Sequence, residues 1–153
     1  MAAENFNESN NFFNEGGEVL LFSIDNKIYG IEIQYVTEII GVQQITVVPR
    51  VPTYIKGVIN IRGKVIPVMS VRNRFGIEER AFDERTCIIV VNINGVAVGI
   101  IVDRVKEVFN ARPKQISNTP DFKNVNKNRF IRYIINANDE VKLLLDIKTL
   151  ITE

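Results

Sequence analysis

A chain of 153 residues with 46% hydrophobic side chains is one domain's worth of polypeptide and carries enough apolar surface for a real core. Its 19 basic and 18 acidic side chains nearly cancel, so no field of one sign draws nucleic acid or an anionic membrane to the surface. There is no histidine and a single cysteine, which removes the commonest general base, metal ligand and pH switch together and rules out a disulfide within the chain.

No paired acidic spacing offers a metal site, and no phosphate-binding, dinucleotide-binding or nucleophile-elbow glycine motif occurs. Neither a metal nor a cofactor is expected. The start of the chain has no basic segment followed by an apolar one, and the longest apolar run, Gly95 to Val102, is too short to span a bilayer. A cytoplasmic protein without membrane insertion is expected.

Residues 1–17 are rich in asparagine, end in Gly16-Gly17 and show neither helical nor strand periodicity, so they read as a disordered tail. From Glu18 onward the text becomes short Val- and Ile-rich runs separated by turn words such as Asp25-Asn26, Asn94-Gly95 and Asn138-Asp139. This is mainly β. Between Glu32 and Ile39 the apolar spacing fits one helical turn leading into a strand. The connector Val48-Pro49-Arg50-Val51-Pro52 has two prolines, which remove ladder donors and mark an extended link or an edge.

Next comes YIKGVINIRGKVIPVMSVRNRFG, Tyr54 to Gly76, in which two apolar runs flank the elbow Arg62-Gly63-Lys64. Cys87, in TCIIVV, reads as a small buried hydrophobe. Asn94-Gly95 joins two apolar runs and signals a hairpin whose central residues both take positive φ.

The chain repeats itself. VLLFSIDNKIYGIEIQYVTEII (Val19 to Ile40) aligns without gaps on IIVVNINGVAVGIIVDRVKEVF (Ile88 to Phe109), a shift of 69 positions (88 − 19). YIKGVINIRGKVIPVMSV (Tyr54 to Val71) aligns on FIRYIINANDEVKLLLDI (Phe130 to Ile147), a shift of 76 (130 − 54). Halves 19–71 and 88–147 each supply about four or five short strands, the material of a small SH3-like barrel. Two similar sub-barrels related by a pseudo-twofold are expected.

The repeat also shows what the scaffold does not require. Where the first half carries Arg62, the second has the ordinary acidic turn Asn138-Asp139-Glu140. The guanidinium is thus free for recognition, since its planar fork suits carboxylate or backbone acceptors. Gly57 has Tyr133 as its counterpart, so a side chain there is expected to be tolerable. Val36, Ile39, Val105 and Val108 occupy equivalent turn positions, where they either pack the core or line a groove for an amphipathic helix rimmed by Glu38. Phe122, in a polar linker, either pins that linker or anchors a partner.

YGIEIQYVTEII, the VPRVP connector, YIKGVINIRGKVIPVMSVRNRFG and VGIIVDRVKEV together resemble the CheW family of bacterial chemotaxis coupling proteins, over about residues 18–151. The resemblance implies two intertwined SH3-like five-stranded barrels and a non-enzymatic, cytoplasmic adaptor recruited to membrane-anchored receptor arrays. Its partners would be the signalling tip of chemoreceptors and the regulatory domain of the histidine kinase CheA. Receptor-contact positions map by motif onto Val36, Glu38, Ile39, Gly57, Arg62, Val105 and Val108, and Pro120-Asp121-Phe122 matches a loop used in ring contacts with the kinase. Ser70 stands where many relatives have Asp, and Tyr133 where many have Gly. Competing readings are a nucleic-acid-binding small barrel, which the balanced charge opposes, and an enzyme, for which no nucleophile and base pair is visible.

Overall fold

A computed structural model of the chain describes residues 11–119 and 129–152. Two sheets account for most of it. The strands are β1 (Gly17–Ile24), β2 (Lys27–Glu32), β3 (Val36–Gly41), β4 (Ile55–Ile61), β5 (Lys64–Ser70), β6 (Cys87–Ile93), β7 (Val96–Val102), β8 (Arg104–Ala111), β9 (Ile116–Asn118), β10 (Ile131–Ala137) and β11 (Glu140–Leu145). Helical pieces are a turn over residues 11–15 (α1), α2 (Val71–Arg74) and α3 (Ile147–Thr152), and a 3-10 turn, Ile33–Tyr35, leads into β3 as the spacing predicts.

One sheet runs β8-β1-β2-β11-β10-β9 and the other β3-β6-β7-β5-β4. Shifting the first repeat by 69 and then 76 positions turns one order into the other: β3 falls on β8, the hairpin β1-β2 on β6-β7, and β4-β5 on β10-β11. The registers agree as well. Val68 faces Gly99 across the parallel pair β5-β7, and the equivalent Leu144 faces Gly30 across β11-β2. Both β4-β5 and β10-β11 bulge at the same place, Ile55/Gly57 and Ile131/Tyr133. The repeat is therefore structural and not compositional.

The compact units are not the repeats themselves, contrary to the expectation from halves 19–71 and 88–147. One unit comprises Met1–Leu21, Ile28–Ile33 and Glu107–Glu153, the other Phe22–Lys27 and Gln34–Lys106. The cause lies in the parallel pairings: the hairpin β1-β2 of the first repeat pairs with β11 of the second, and β6-β7 of the second pairs with β5 of the first. Each repeat thus donates its leading hairpin to the sheet that the other completes. The longer linker of the second repeat adds β9, so that sheet has six strands where five are expected; its counterpart in the first repeat is a single bridge, Thr46 to Val58.

Each unit has its own core. Phe12, Val19, Leu21, Ala111, Ile116, Ile135 and Leu144 fill one, and Ile59, Ile66, Val68, Ile88, Val90 and Ile101 the other. Val19, Leu21, Ile135 and Leu144 are the repeat equivalents of Ile88, Val90, Ile59 and Val68.

Phe12 corrects the disordered-tail expectation for residues 11–17. It is buried, Phe13 packs on the same core, and both rings lie against Tyr133 at centroid separations of 6.2 and 5.1 Å. The Gly16 N–H donates to the Phe12 carbonyl at 2.8 Å, closing the turn at a residue whose φ of +77° suits glycine. Two adjacent phenylalanines bury enough apolar surface to order a segment that is otherwise all polar. Cys87 also departs from expectation: it is half-buried at the start of β6, and its thiol faces the Arg85 carbonyl at 3.3 Å.

Candidate functional site

The β4-β5 hairpin turns on two residues. Ile61 pairs with Lys64, and Arg62 and Gly63 between them take φ of 49° and 83°. Asn60 steadies the tip, its side-chain oxygen accepting the Gly63 N–H at 2.9 Å, as Asn92 does for Gly95 at 3.0 Å. The three other hairpin tips, Asp25-Asn26, Asn94-Gly95 and Asn138-Asp139, have the same left-handed geometry but use residues that adopt it cheaply. Among the hairpin tips Arg62 is the one long side chain in that region, at a cost of about 1–2 kcal/mol; Arg50, in the linker before β4, is left-handed as well.

What the arginine does locally does not offset that cost. Its guanidinium donates to Glu38 Oε2 at 2.5 Å, joining the tip to β3, an outer strand of the five-stranded sheet whose other outer strand is β4. The Arg62 side chain is 74% exposed and that of Glu38 29%, so solvent screens the pair and it contributes little to stability. A strained residue whose ion pair stabilises little points to use by a partner. Beside the pair lies an open groove of about 320 Å³, floored by Ile61, Ile66 and Ala97 and rimmed by Glu38, Arg62 and Lys64.

The remaining site residues from the sequence fall as follows. Val36 is half-buried at the start of β3 and Ile39 is 44% exposed on the same strand. Val105 is half-buried and Val108 is 51% exposed on β8. All four lie on strands, not on the turns expected from their spacing, because the 3-10 turn ends at Tyr35 and Arg104 already belongs to β8. Thr37, between two of them, ties β3 to β6 by donating to the Val90 carbonyl at 3.0 Å. Glu38 and Arg62 are brought into direct contact. Pro120, Asp121 and Phe122 lie outside the described residues.

Gly57 is explained internally. A Cβ there would sit 2.1 Å from the Thr46 carbonyl oxygen, and its φ is +145°. The expectation that a side chain would be tolerated, drawn from Tyr133, therefore fails: Tyr133 is not among the left-handed residues and faces Asn118 in the regular β9-β10 pairing. The backbone that approaches Gly57 is the chain's own, through paired bonds of 2.9 Å between Thr46 and Val58.

Sequence reasoning missed the strongest electrostatic feature of this unit. Arg72 is buried and grips Asp103 through two bonds of 2.8 and 2.7 Å, while also donating to the Glu78 carbonyl and to Asp25. Burial is the largest single influence on Asp103 and would raise its pKa, but the Arg72 hydrogen bonds, the Asp25 N–H and the charges of Arg72 and Arg80 together outweigh it and hold the carboxyl below the usual range. Nothing in SVRNRFG or IVDRV marks the two as partners, since 31 residues separate them.

Ser70 becomes intelligible through the repeat. It caps α2, accepting the Asn73 N–H at 3.1 Å, just as its equivalent Asp146 accepts the Thr149 N–H at 3.2 Å at the head of α3. Ser70 is buried and also donates to Glu79, which pairs with Lys56. Ser70→Ala should cost about 1–2 kcal/mol in a denaturant titration, whereas Ser70→Asp should keep the cap but set a second carboxylate against Glu79.

Among the described residues no cluster of three or more metal-ligating side chains occurs, and no helix is long and apolar enough to cross a membrane. What the five-stranded unit displays is an open groove beside an exposed ion pair. A family model described as the CheW-like domain matches residues 18–153. The chain is 34% identical to the chemotaxis protein CheW of Klebsiella aerogenes over 90% of its own length and 82% of that protein's. It is 36% identical to CheW of Thermotoga maritima, covering 67% of each. It also superposes, with a TM-score of 0.82 and 32% identity, on the crystal structure of the scaffolding protein TtCheW from Thermoanaerobacter tengcongensis, covering 90% of this chain and 93% of that one. The chain belongs to the CheW family: it is a chemotaxis adaptor, of the kind that couples receptors to the kinase CheA.

Proposed function

We propose that the protein is a non-enzymatic, cytoplasmic coupler that holds the helical signalling tip of a chemoreceptor and the regulatory domain of CheA at once, and so joins the membrane-anchored receptor array. The observation that carries this reading is Arg62: a left-handed arginine whose exposed ion pair stabilises little, at a tip where the fold's other hairpins use Asp or Asn. Glu38 and Arg62 pair on the five-stranded unit, which also carries Val36, Ile39 and Val105, and paired charges with apolar side chains are the chemistry that suits an amphipathic helix; Val108, on β8, is assigned with them by the family motif. Gly57 supports that surface from within by letting the linker through Thr46 close on β4. Pro120-Asp121-Phe122 is assigned to ring contacts with the kinase.

The test is a calorimetric titration against a receptor signalling-tip fragment and, separately, a CheA regulatory-domain fragment. Binding to both is expected. Arg62→Asn should relieve the backbone strain and raise stability by about 0.5–1 kcal/mol, while weakening the receptor fragment at least tenfold. Unchanged receptor affinity in that variant would remove Arg62 from the site, and binding to neither fragment would reduce the family likeness to a likeness of fold.

A further inference from the structure

The two units share core positions but not the filling of the space beside the hairpin tip. In the six-stranded unit the equivalent of Ile66 is Lys142, which is only 3% exposed. Its ammonium lies 5.0 Å from the Phe109 ring, donates to the Ala137 carbonyl at 3.4 Å and pairs with Glu140 at 3.2 Å. Phe109 is the counterpart of Ile40, and Glu140 that of Lys64. The lysine stem, the phenyl ring and the acid thus occupy this space from within the chain. In the five-stranded unit Ile66, which lines the groove, and Ile40, which packs against the core cluster that holds Ile66, are shorter, Lys64 replaces the acid, and about 320 Å³ stays open.

We propose that this groove receives one aliphatic side chain from the receptor helix, with a carboxylate one helical turn away on that helix set against Lys64. This rests on the reading above, in which the Arg62-Glu38 tip meets a receptor. The floor of Ile61, Ile66 and Ala97 accepts an apolar group and penalises a charged one. The rim holds two cations and one acid, and that acid is already bonded to Arg62. Lys64 has no acidic partner among the described contacts, so the uncompensated charge is positive and selects an acid on the incoming segment. On a helix the apolar and acidic side chains meet both features at a spacing of three or four residues.

The six-stranded unit supplies the design that closes the groove. The triple variant Ile40→Phe, Lys64→Glu, Ile66→Lys transplants its filling, and Lys64→Glu alone reverses only an exposed charge on the hairpin. Titrated with a receptor signalling-tip hairpin, the triple variant should lose at least about thirtyfold in affinity, while a CheA regulatory-domain fragment binds within about twofold of wild type. Lys64→Glu should lose about fivefold for the tip and regain it when the acidic residue of the tip is changed to Lys. Because Lys64 is exposed, that variant keeps the test alive should the triple variant fold poorly. Full tip affinity in Lys64→Glu and in the folded triple variant overturns the groove assignment, and selective loss of the kinase fragment transfers the groove to the kinase. Failure of the wild type to bind the tip at all instead overturns the receptor reading on which the proposal stands.

Discussion

Asp103→Ala should lower the unfolding free energy by about 3–5 kcal/mol, since it leaves the buried Arg72 guanidinium without the carboxylate that holds it. Arg72 and Asp103 side chains are only 10% and 11% exposed, so water cannot replace the lost bonds as it would at the surface. The same guanidinium reaches the Glu78 carbonyl and Asp25, and the Asp25 N–H donates to Asp103 Oδ2 at 2.9 Å, so one substitution loosens the first hairpin turn and the segment after α2 together. For a chain of this length the loss corresponds to a fall in Tm of roughly 10 °C. Arg80, 3.9 Å from Asp103, is too exposed and too distant to take over the role of Arg72.

The dependence on pH follows from the depressed Asp103 pKa. A carboxyl whose folded pKa lies below its unfolded value contributes stability that is complete above the unfolded value, about 3.9, and is lost as pH falls through the folded one. Wild type and Asp103→Ala should therefore differ fully near neutrality and converge on strong acidification. Denaturant titrations at neutral and acidic pH check this, and a gap that widens on acidification would contradict the assigned pair.

Gly57→Ala is expected to cost about 3 kcal/mol or more, although it adds a single methyl group. The new Cβ would lie 2.1 Å from a backbone oxygen and 2.8 Å from Ile45 Cγ2, at a φ that L-residues rarely adopt. Relief requires the 42–54 linker to leave β4, which breaks both bonds between Thr46 and Val58 and uncovers Ile45, a neighbour of the core. The result should appear as reduced stability together with faster amide exchange at Thr46 and Val58. A variant as stable as wild type, with those amides still protected, would mean that the close approach is not structural. Receptor binding should fall in Gly57→Ala through this displacement, not through a lost contact.

Much of the architecture was legible because the chain states it twice. Gapless shifts of 69 and 76 residues placed Val68 on Leu144 and Gly30 on Gly99, and the registers follow those pairs. The turn words were equally informative, since Asp25-Asn26, Asn94-Gly95 and Asn138-Asp139 all adopt the positive φ that short hairpins need. Which hairpin joins which sheet was not legible: periodicity locates strands but carries no information on a parallel partner such as β2 for β11. The repeat also extends upstream of Val19, where Phe13 and Glu15 stand opposite Phe82 and Glu84, and that extension is the signal that could have rescued residues 11–17 from the disordered reading.

At the site, Arg62 was legible only by contrast with Asn138, and its left-handed backbone needed the structure. Arg72 with Asp103 escaped because a long-range ion pair leaves no local pattern. Gly57 was misjudged because equivalence in sequence hid a difference in φ from Tyr133. Ser70 looked like a departure from the family pattern, yet Asp146 shows that the position is a helix cap that either residue can serve.

Coupling is measured by reconstitution: CheA phosphorylation is followed with receptor tips alone, with this protein alone, and with both. Kinase activity should change with receptor state only when all three components are present, and Arg62→Asn, though folded, should abolish the response. Receptor control of the kinase that is the same with and without the protein would contradict it.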